Sequence, residues 1–257
     1  MSKDILTEKK GRALYITINR PERLNSITKE MLREIYNALN EAEGDDEIRC
    51  VVITGAGEKS FSAGANIKSL TELSKEEARE FSRTGHKTFT KIIEIGKPVI
   101  AAINGYALGG GCELSAFCDL RIASDKAVFG QPEVNLGLIP GWGGTQLLSE
   151  LIGPSNAKEL MIMGENISAQ RAKEIGLINR VLPAEKFQEG VEDIVGKITS
   201  KPPLSLRAIK RLVNRKIDLH DDLDRESTEF GELFETEDLR EGLSAFNEKR
   251  KPEFKGK

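Results

Sequence analysis

Two glutamates and a run of glycines carry the chemistry that this sequence offers. In "NGYALGGGCELSAFCD" (104–119), Gly109, Gly110 and Gly111 lead into Cys112, Glu113 and a small apolar stretch ending at Cys118. A glutamate is rarely buried unpaired, and each glycine in a helix costs about 1 kcal/mol against alanine, so both choices need a cause. The first N–H groups of a helix lack partners and carry the positive end of its dipole. Glycine lets a ligand approach that backbone closely. A carbonyl seated there is stabilised as it becomes an enolate. Glu113, in the first turn, stands beside it, and an apolar setting suits a carboxyl to acid–base work. Glu133 follows Pro132 in "FGQPEVNLGLIPG", an irregular Gly- and Pro-rich segment of the kind that carries function. Addition of water across a double bond uses two carboxylates, one to polarise the water and one to handle the proton at carbon. Plainer roles stand beside these. The glycines equally serve a turn or close packing, Glu113 can stabilise the helix dipole by under ~1 kcal/mol, and a lone loop glutamate is most often solvated.

Other chemistries fit poorly. "GAGEKS" (55–60) lacks the glycine and spacing of a phosphate-binding loop, and no GxGxxG opens a helix after a strand. No GxSxG elbow occurs. Cys112 as a nucleophile needs a histidine base, and the chain holds only His86 and His220, which also makes a zinc site a poor fit.

The elements that must position these residues are readable from pattern. "ALYITIN" (13–19) alternates as a half-buried strand, and "CVVITG" (50–55) is a continuous apolar run, as in a strand buried on both faces. Thr28 precedes a helix with Met31, Leu32, Ile35, Leu39 and Ala42 on one face. Ser74 and Glu77 have capping-box spacing and open a helix to about Ile95. Further strands lie in "VIAAING", "CDLRIAS" (118–124) and "LINRVL". "AVFGQPEVNLGLIPGWGGTQ" is turn-rich. Helices are expected at about 143–151, 155–163 and 168–175, and a run of them from 185 to 249. The pattern predicts an α/β core over 1–196 and a C-terminal helical region over 197–257, without a strict sequence repeat.

Composition sets bounds. The 257 residues, 39% hydrophobic and 31% charged, suit a soluble globular protein. A net charge of −3 gives no electrostatic case for nucleic acid or an anionic membrane. Cys50, Cys112 and Cys118 lie in or beside apolar runs and read as reduced thiols of a cytoplasmic protein. No signal peptide or membrane span is expected.

Taken together, "IAAINGYALGGGCELSAFCDLRIAS", "FGQPEVNLGLIPGWGGTQ" and "FSAGANIKSL" resemble the enoyl-CoA hydratase (crotonase) family. The likeness extends from "ITINRPERLNSI" (16–27) through "SAQRAKEIGLINRV" (168–181) to "FETEDLREGLSAFNEKRKPEF" (234–254). The resemblance implies an α/β spiral of repeated strand–strand–helix units, with a C-terminal helical region that trimerises, two trimers stacking as a hexamer. It implies an acyl-CoA thioester as substrate, with coenzyme A part of that substrate, no other cofactor and no metal. It places an oxyanion hole at the N–H groups of Ala65 and Gly110 and the catalytic carboxylates at Glu113 and Glu133. Branches such as the isomerases usually keep only one of these carboxylates. CoA and substrate contacts fall on Arg23, Leu24, Ala63, Ala65, Asn66, Ile67, Lys68 and Gly109, with Phe246 and Lys249 near a site shared with an adjacent subunit. Asn66 stands where aspartate is frequent, and Glu22 where a basic residue is common, which leaves Arg23 as the nearby cation.

The implied reaction is reversible hydration of a trans-2-enoyl-CoA to a 3-hydroxyacyl-CoA, with Glu113 as the base toward water and Glu133 as the proton donor to C2. An isomerase or a specialised acyl-CoA hydratase is the alternative within the family, and a catalytically silent scaffold is a third reading. From another class, "RAIKRLVNRK" (207–216) offers a basic helix with Ile209, Leu212 and Val213 as an apolar stripe, a pattern open to RNA binding, to a solvated face or to a subunit contact.

Overall fold

The computed structural model describes residues 4–214 and 219–253. Three successive strand–strand–helix units form its centre. They are β3 (Cys50–Gly55), β4 (Ser60–Ser62) and α2 (Lys75–Glu94), then β5 (Val99–Ile103), β6 (Tyr106–Leu108) and α3 (Gly110–Phe117), then β7 (Leu120–Ser124), β8 (Val128–Gly130) and α4 (Gly144–Met163). The first strand of each unit joins one sheet and the second joins another. The larger sheet has the order β1-β2-β3-β5-β7-β10 and the smaller β4-β6-β8-β9. Here β1 is Ile5–Lys10, β2 Ala13–Ile18, β9 Asn166–Ser168 and β10 Arg180–Leu182. Among the described residues, only β1 and β9, at sheet edges, run antiparallel to their neighbours. The architecture repeats although the sequence does not.

Local chemistry fixes the ends of these elements. Thr28 accepts the Met31 N–H and starts α1 (Lys29–Gly44), whose Met31, Leu32, Ile35, Leu39 and Ala42 are all buried. Ser74 and Glu77 close a full capping box on α2. Gly153 (φ 74°) followed by Pro154 kinks α4, so the two expected helices are two limbs of one element. The main core lies between the larger sheet and the helices α1 to α4.

The structure corrects several expectations. The alternating β2 is buried on both faces, because α6 (Phe187–Thr199) lays Val191, Ile194 and Val195 over Ala13, Tyr15, Cys50 and Val52. β1 was hidden by its polar sequence, since it is an edge strand with only Ile5 buried. α7 (Pro203–Asn214) inverts the expected basic face. Lys210 is buried and its Nζ donates to the Ile92 and Lys97 carbonyls and to Asp119 (2.6, 3.0 and 2.7 Å). The apolar residues of the stripe point outward instead, with Leu204, Ile209, Leu212 and Val213 59–73% exposed. This removes Lys210 from any nucleic-acid face, while Arg215 and Lys216 lie outside the described residues. α9 (Glu237–Glu248) ends at a left-handed Lys249 (φ 55°), so Phe246 and Lys249, three positions apart, do not share a helical face. Among the described residues no helix is long and apolar enough to cross a membrane.

Candidate active site

The site forms where two loops meet the start of α3. The segment 24–27 runs beside 63–66: the Ala63 N–H donates to the Leu24 carbonyl (2.9 Å), that of Ile27 to Gly64 (2.8 Å) and that of Asn66 to Ile27 (3.0 Å). In the parallel bridge between Ile27 and Ala65, the flanking residues make both bonds. The N–H of Ala65 itself therefore points to the side away from Ile27, and Ala65 is among the residues that line the cavity. Gly64 (φ +84°) brings this loop onto α3, since a Cβ there would stand 2.8 Å from both the Gly110 nitrogen and the Leu108 carbonyl.

Each glycine of the triplet answers to a different neighbour. Gly109 takes a left-handed φ of +50°, and a side chain on it would meet Glu133 Oε1 at 2.7 Å. A Cβ on Gly110 would strike the Cε3–Cζ3 edge of Trp142, and one on Gly111 the Ser62 carbonyl. Close approach by the protein itself thus accounts for the glycines, the packing role that the sequence offered beside space for a ligand.

Glu113 is 1% exposed. Its Oε1 accepts the N–H groups of Trp142 (2.8 Å) and Gly144 (2.7 Å) at the start of α4. Its setting is therefore not simply apolar, because a helix N-terminus is aimed at the carboxylate and holds it. Glu133 is half-buried in the 3-10 turn Pro132–Leu136. The buried Gln131 is satisfied with its amide nitrogen toward Glu133, donating to Oε1 (3.1 Å) and Oε2 (3.0 Å). α9 packs against the same turn, with Gly242 admitting the Leu136 backbone.

Glu113, Glu133, Ala65 and Gly110 line one small cavity of about 70 Å³, together with Ala63, Gly64, Ile67 and Gly109. Leu70, Phe81, Leu138, Ile139, Trp142 and Phe230 form much of its apolar wall. The other expected contacts lie outside it. Arg23, Leu24 and Lys68 are exposed, and Asn66 precedes the 3-10 turn Ile67–Ser69. Phe246 (54% exposed) and Lys249, at the end of α9, do not line this cavity.

Three further residues build the site without having stood out in the sequence. Gln131 is one polar side chain next to Pro132. Trp142 is the chain's single tryptophan, set among glycines. Asn25, buried and left-handed (φ 56°), donates to the Ala56 and Ser60 carbonyls and pins the first loop. Burial pushes the Cys50 and Cys118 thiols up to about 12 and that of Cys112 higher still, so none is a ready nucleophile. His86 is buried behind the site beside Ser82, whose hydroxyl donates to the Gly141 carbonyl (2.6 Å). The side chain of His220 lies outside the described residues. Among the described residues no group of three or more His, Cys, Asp and Glu could hold a metal ion.

Residues 8–257 match the family model described as Enoyl-CoA hydratase/isomerase. The chain is 45% identical to a short-chain-enoyl-CoA hydratase of Clostridium acetobutylicum over 252 residues, 97% of each chain. It is 46% identical to a crotonyl-CoA hydratase of Syntrophomonas wolfei over 255 residues, 98% of this chain and 97% of the relative. The crystal structure of an enoyl-CoA hydratase from Bacillus anthracis superposes with a TM-score of 0.81 at 40% identity, covering 99% of this chain and 100% of the other. With the spiral of strand–strand–helix units and sequence likeness along nearly its whole length, the chain belongs to the enoyl-CoA hydratase/isomerase family.

Proposed function

We propose that the protein catalyses reversible hydration of a trans-2-enoyl-CoA thioester to a 3-hydroxyacyl-CoA. The observation that carries this is the pair of carboxylates, Glu113 and Glu133, lining one small cavity with Ala65 and Gly110. The thioester oxygen accepts the Ala65 and Gly110 N–H groups, at the positive end of α3. Water sits between the carboxylates. Glu113, fixed through Oε1, takes a proton as the water oxygen bonds to C3 and the double-bond electrons move onto the thioester as an enolate. Glu133, steadied by Gln131, delivers a proton to C2, and the thioester carbonyl re-forms. One water is added and one proton changes carboxylate. The reaction is redox-neutral and calls for no redox cofactor, and neither step requires a metal.

Arg23, Leu24, Asn66 and Lys68, on the rim of the two loops, together with Phe246 and Lys249, are read as contacts for the CoA portion. The outward apolar face of α7 supports a subunit contact, and residues 197–257 are read as the region that assembles trimers and then a hexamer. Three free, buried cysteines suit a cytoplasmic setting. The names of two relatives make crotonyl-CoA the first substrate to test. Loss of the absorbance of the conjugated enoyl thioester, with 3-hydroxybutyryl-CoA as product, is expected. Migration of the double bond in a 3-enoyl-CoA, with no water added to crotonyl-CoA, would favour the isomerase reading.

A further inference from the structure

We propose that the indole of Trp142 is the stop that limits this site to short acyl chains; the inference rests on the acyl-CoA reading above. The ring spans the gap between two elements. Its Cε3–Cζ3 edge lies against Gly110 on α3, and its Cδ1, Cγ and Nε1 edge lies against Gly85 on α2, each too close for a Cβ. Two glycines, far apart in sequence, make the slot that the ring fills.

The slot begins where the thioester is placed. An acyl chain leaving a carbonyl held at the Gly110 N–H meets the indole within its first carbons. The ring has little room to retreat. Phe81 and Phe89 pack on it at centroid distances of 5.2 and 5.6 Å, Phe117 backs Phe89 at 5.5 Å, and Trp142 is only 2% exposed. Its backbone is also tied, because its N–H is bonded to Glu113 Oε1. The cavity of about 70 Å³ is under half of the ~150 Å³ that accommodates a benzene in an engineered protein cavity. That volume is enough for a tail of a few carbons. Space for a longer tail exists along the same line, toward Gly85, and the indole occupies it.

The test compares the wild type with Trp142→Leu and Trp142→Phe, which keep an apolar side chain and leave the backbone N–H in place. The readouts are the ratio of affinities for octanoyl-CoA and butyryl-CoA, by calorimetry, and the ratio of kcat/KM for trans-2-octenoyl-CoA and crotonyl-CoA. Ratios cancel a general loss of activity, and circular dichroism checks folding. The wild type is expected to favour the four-carbon ligand strongly. Trp142→Leu is expected to narrow that preference by at least tenfold, the scale on which pocket size discriminates apolar substrates, and Trp142→Phe by less. A folded Trp142→Leu protein with the wild-type length preference overturns the inference while leaving the hydratase reading intact. A wild-type protein that accepts octanoyl-CoA as well as butyryl-CoA also overturns it. Should the wild type bind neither CoA ester, the acyl-CoA reading fails and this inference with it.

Discussion

Replacing Gly110 by alanine tests how the site is built. The new methyl would stand well under 3.0 Å from two ring carbons of Trp142, closer than real Cβ atoms come to their neighbours. The indole cannot yield toward α2, because Gly85 closes the far side with the same lack of room. The backbone at 110 does not resist the change: Gly110 is not among the positive-φ glycines, and alanine would gain up to about 1 kcal/mol of helix propensity. Overpacking of a filled core costs about 1–3 kcal/mol, so the ring decides the sign. Gly110→Ala is expected to lower stability by about 1–3 kcal/mol in urea unfolding. It should also lower kcat, since a displaced Trp142 carries the N–H that holds Glu113. In the Trp142→Leu background the same change should be close to neutral. The cycle of four proteins then shows a coupling of about 1–3 kcal/mol, well beyond the ~0.5 kcal/mol within which independent sites add. Additive effects, or a Gly110→Ala protein as stable and active as wild type, would refute the reasoning.

Three further outcomes follow from the geometry. Gln131→Leu removes the donor on Glu133 and is expected to cut kcat about tenfold or more while acyl-CoA affinity and fold are kept, because it disturbs a proton-transfer group; unchanged kcat would show that Glu133 needs no such support. Cys50 and Cys118 have an ordinary value of 9.0 and are held near 12 by burial, so their contribution to stability is complete below about pH 9 and is lost as pH climbs from there toward 12. Alkylation at pH 8.5 should accordingly leave the native thiols unlabelled, and rapid labelling of folded protein would contradict their burial. Leu212→Lys with Val213→Glu on the outer face of α7 should dissociate the proposed oligomer in sedimentation, and a monomeric wild type would remove the oligomer reading.

Much of the frame was legible because it rests on local signals. The caps at Thr28 and Ser74, the apolar stripe of α1 and the continuous run of β3 each determine their element within a few residues. β4, β6 and β8 were not legible, since three-residue strands carry too little periodicity and are stabilised by pairing with one another and with β9. The two glutamates could be singled out by their placement, one behind a glycine run and one after a proline. What surrounds them could not. The donors on Glu113 come from residues 142 and 144, about 30 positions downstream, and are backbone groups with no residue-type signature. Trp142 acquires meaning only when Gly85 and Gly110 meet across it. α7 misled because its pattern is that of an ordinary amphipathic helix, whereas Asp119 at the head of β7 draws Lys210 inward and turns the apolar face out.

The central claim is that Glu113 and Glu133 together add water to an enoyl thioester. The most direct measurement is kcat on crotonyl-CoA for Glu113→Gln and Glu133→Gln, with acyl-CoA affinity measured alongside. Both side chains keep their size and lose only the ionisable oxygen. Each variant is expected to lose at least ~10²-fold in kcat, the scale of general acid–base catalysis, with little change in affinity. Near wild-type kcat in either variant would contradict the paired-carboxylate account.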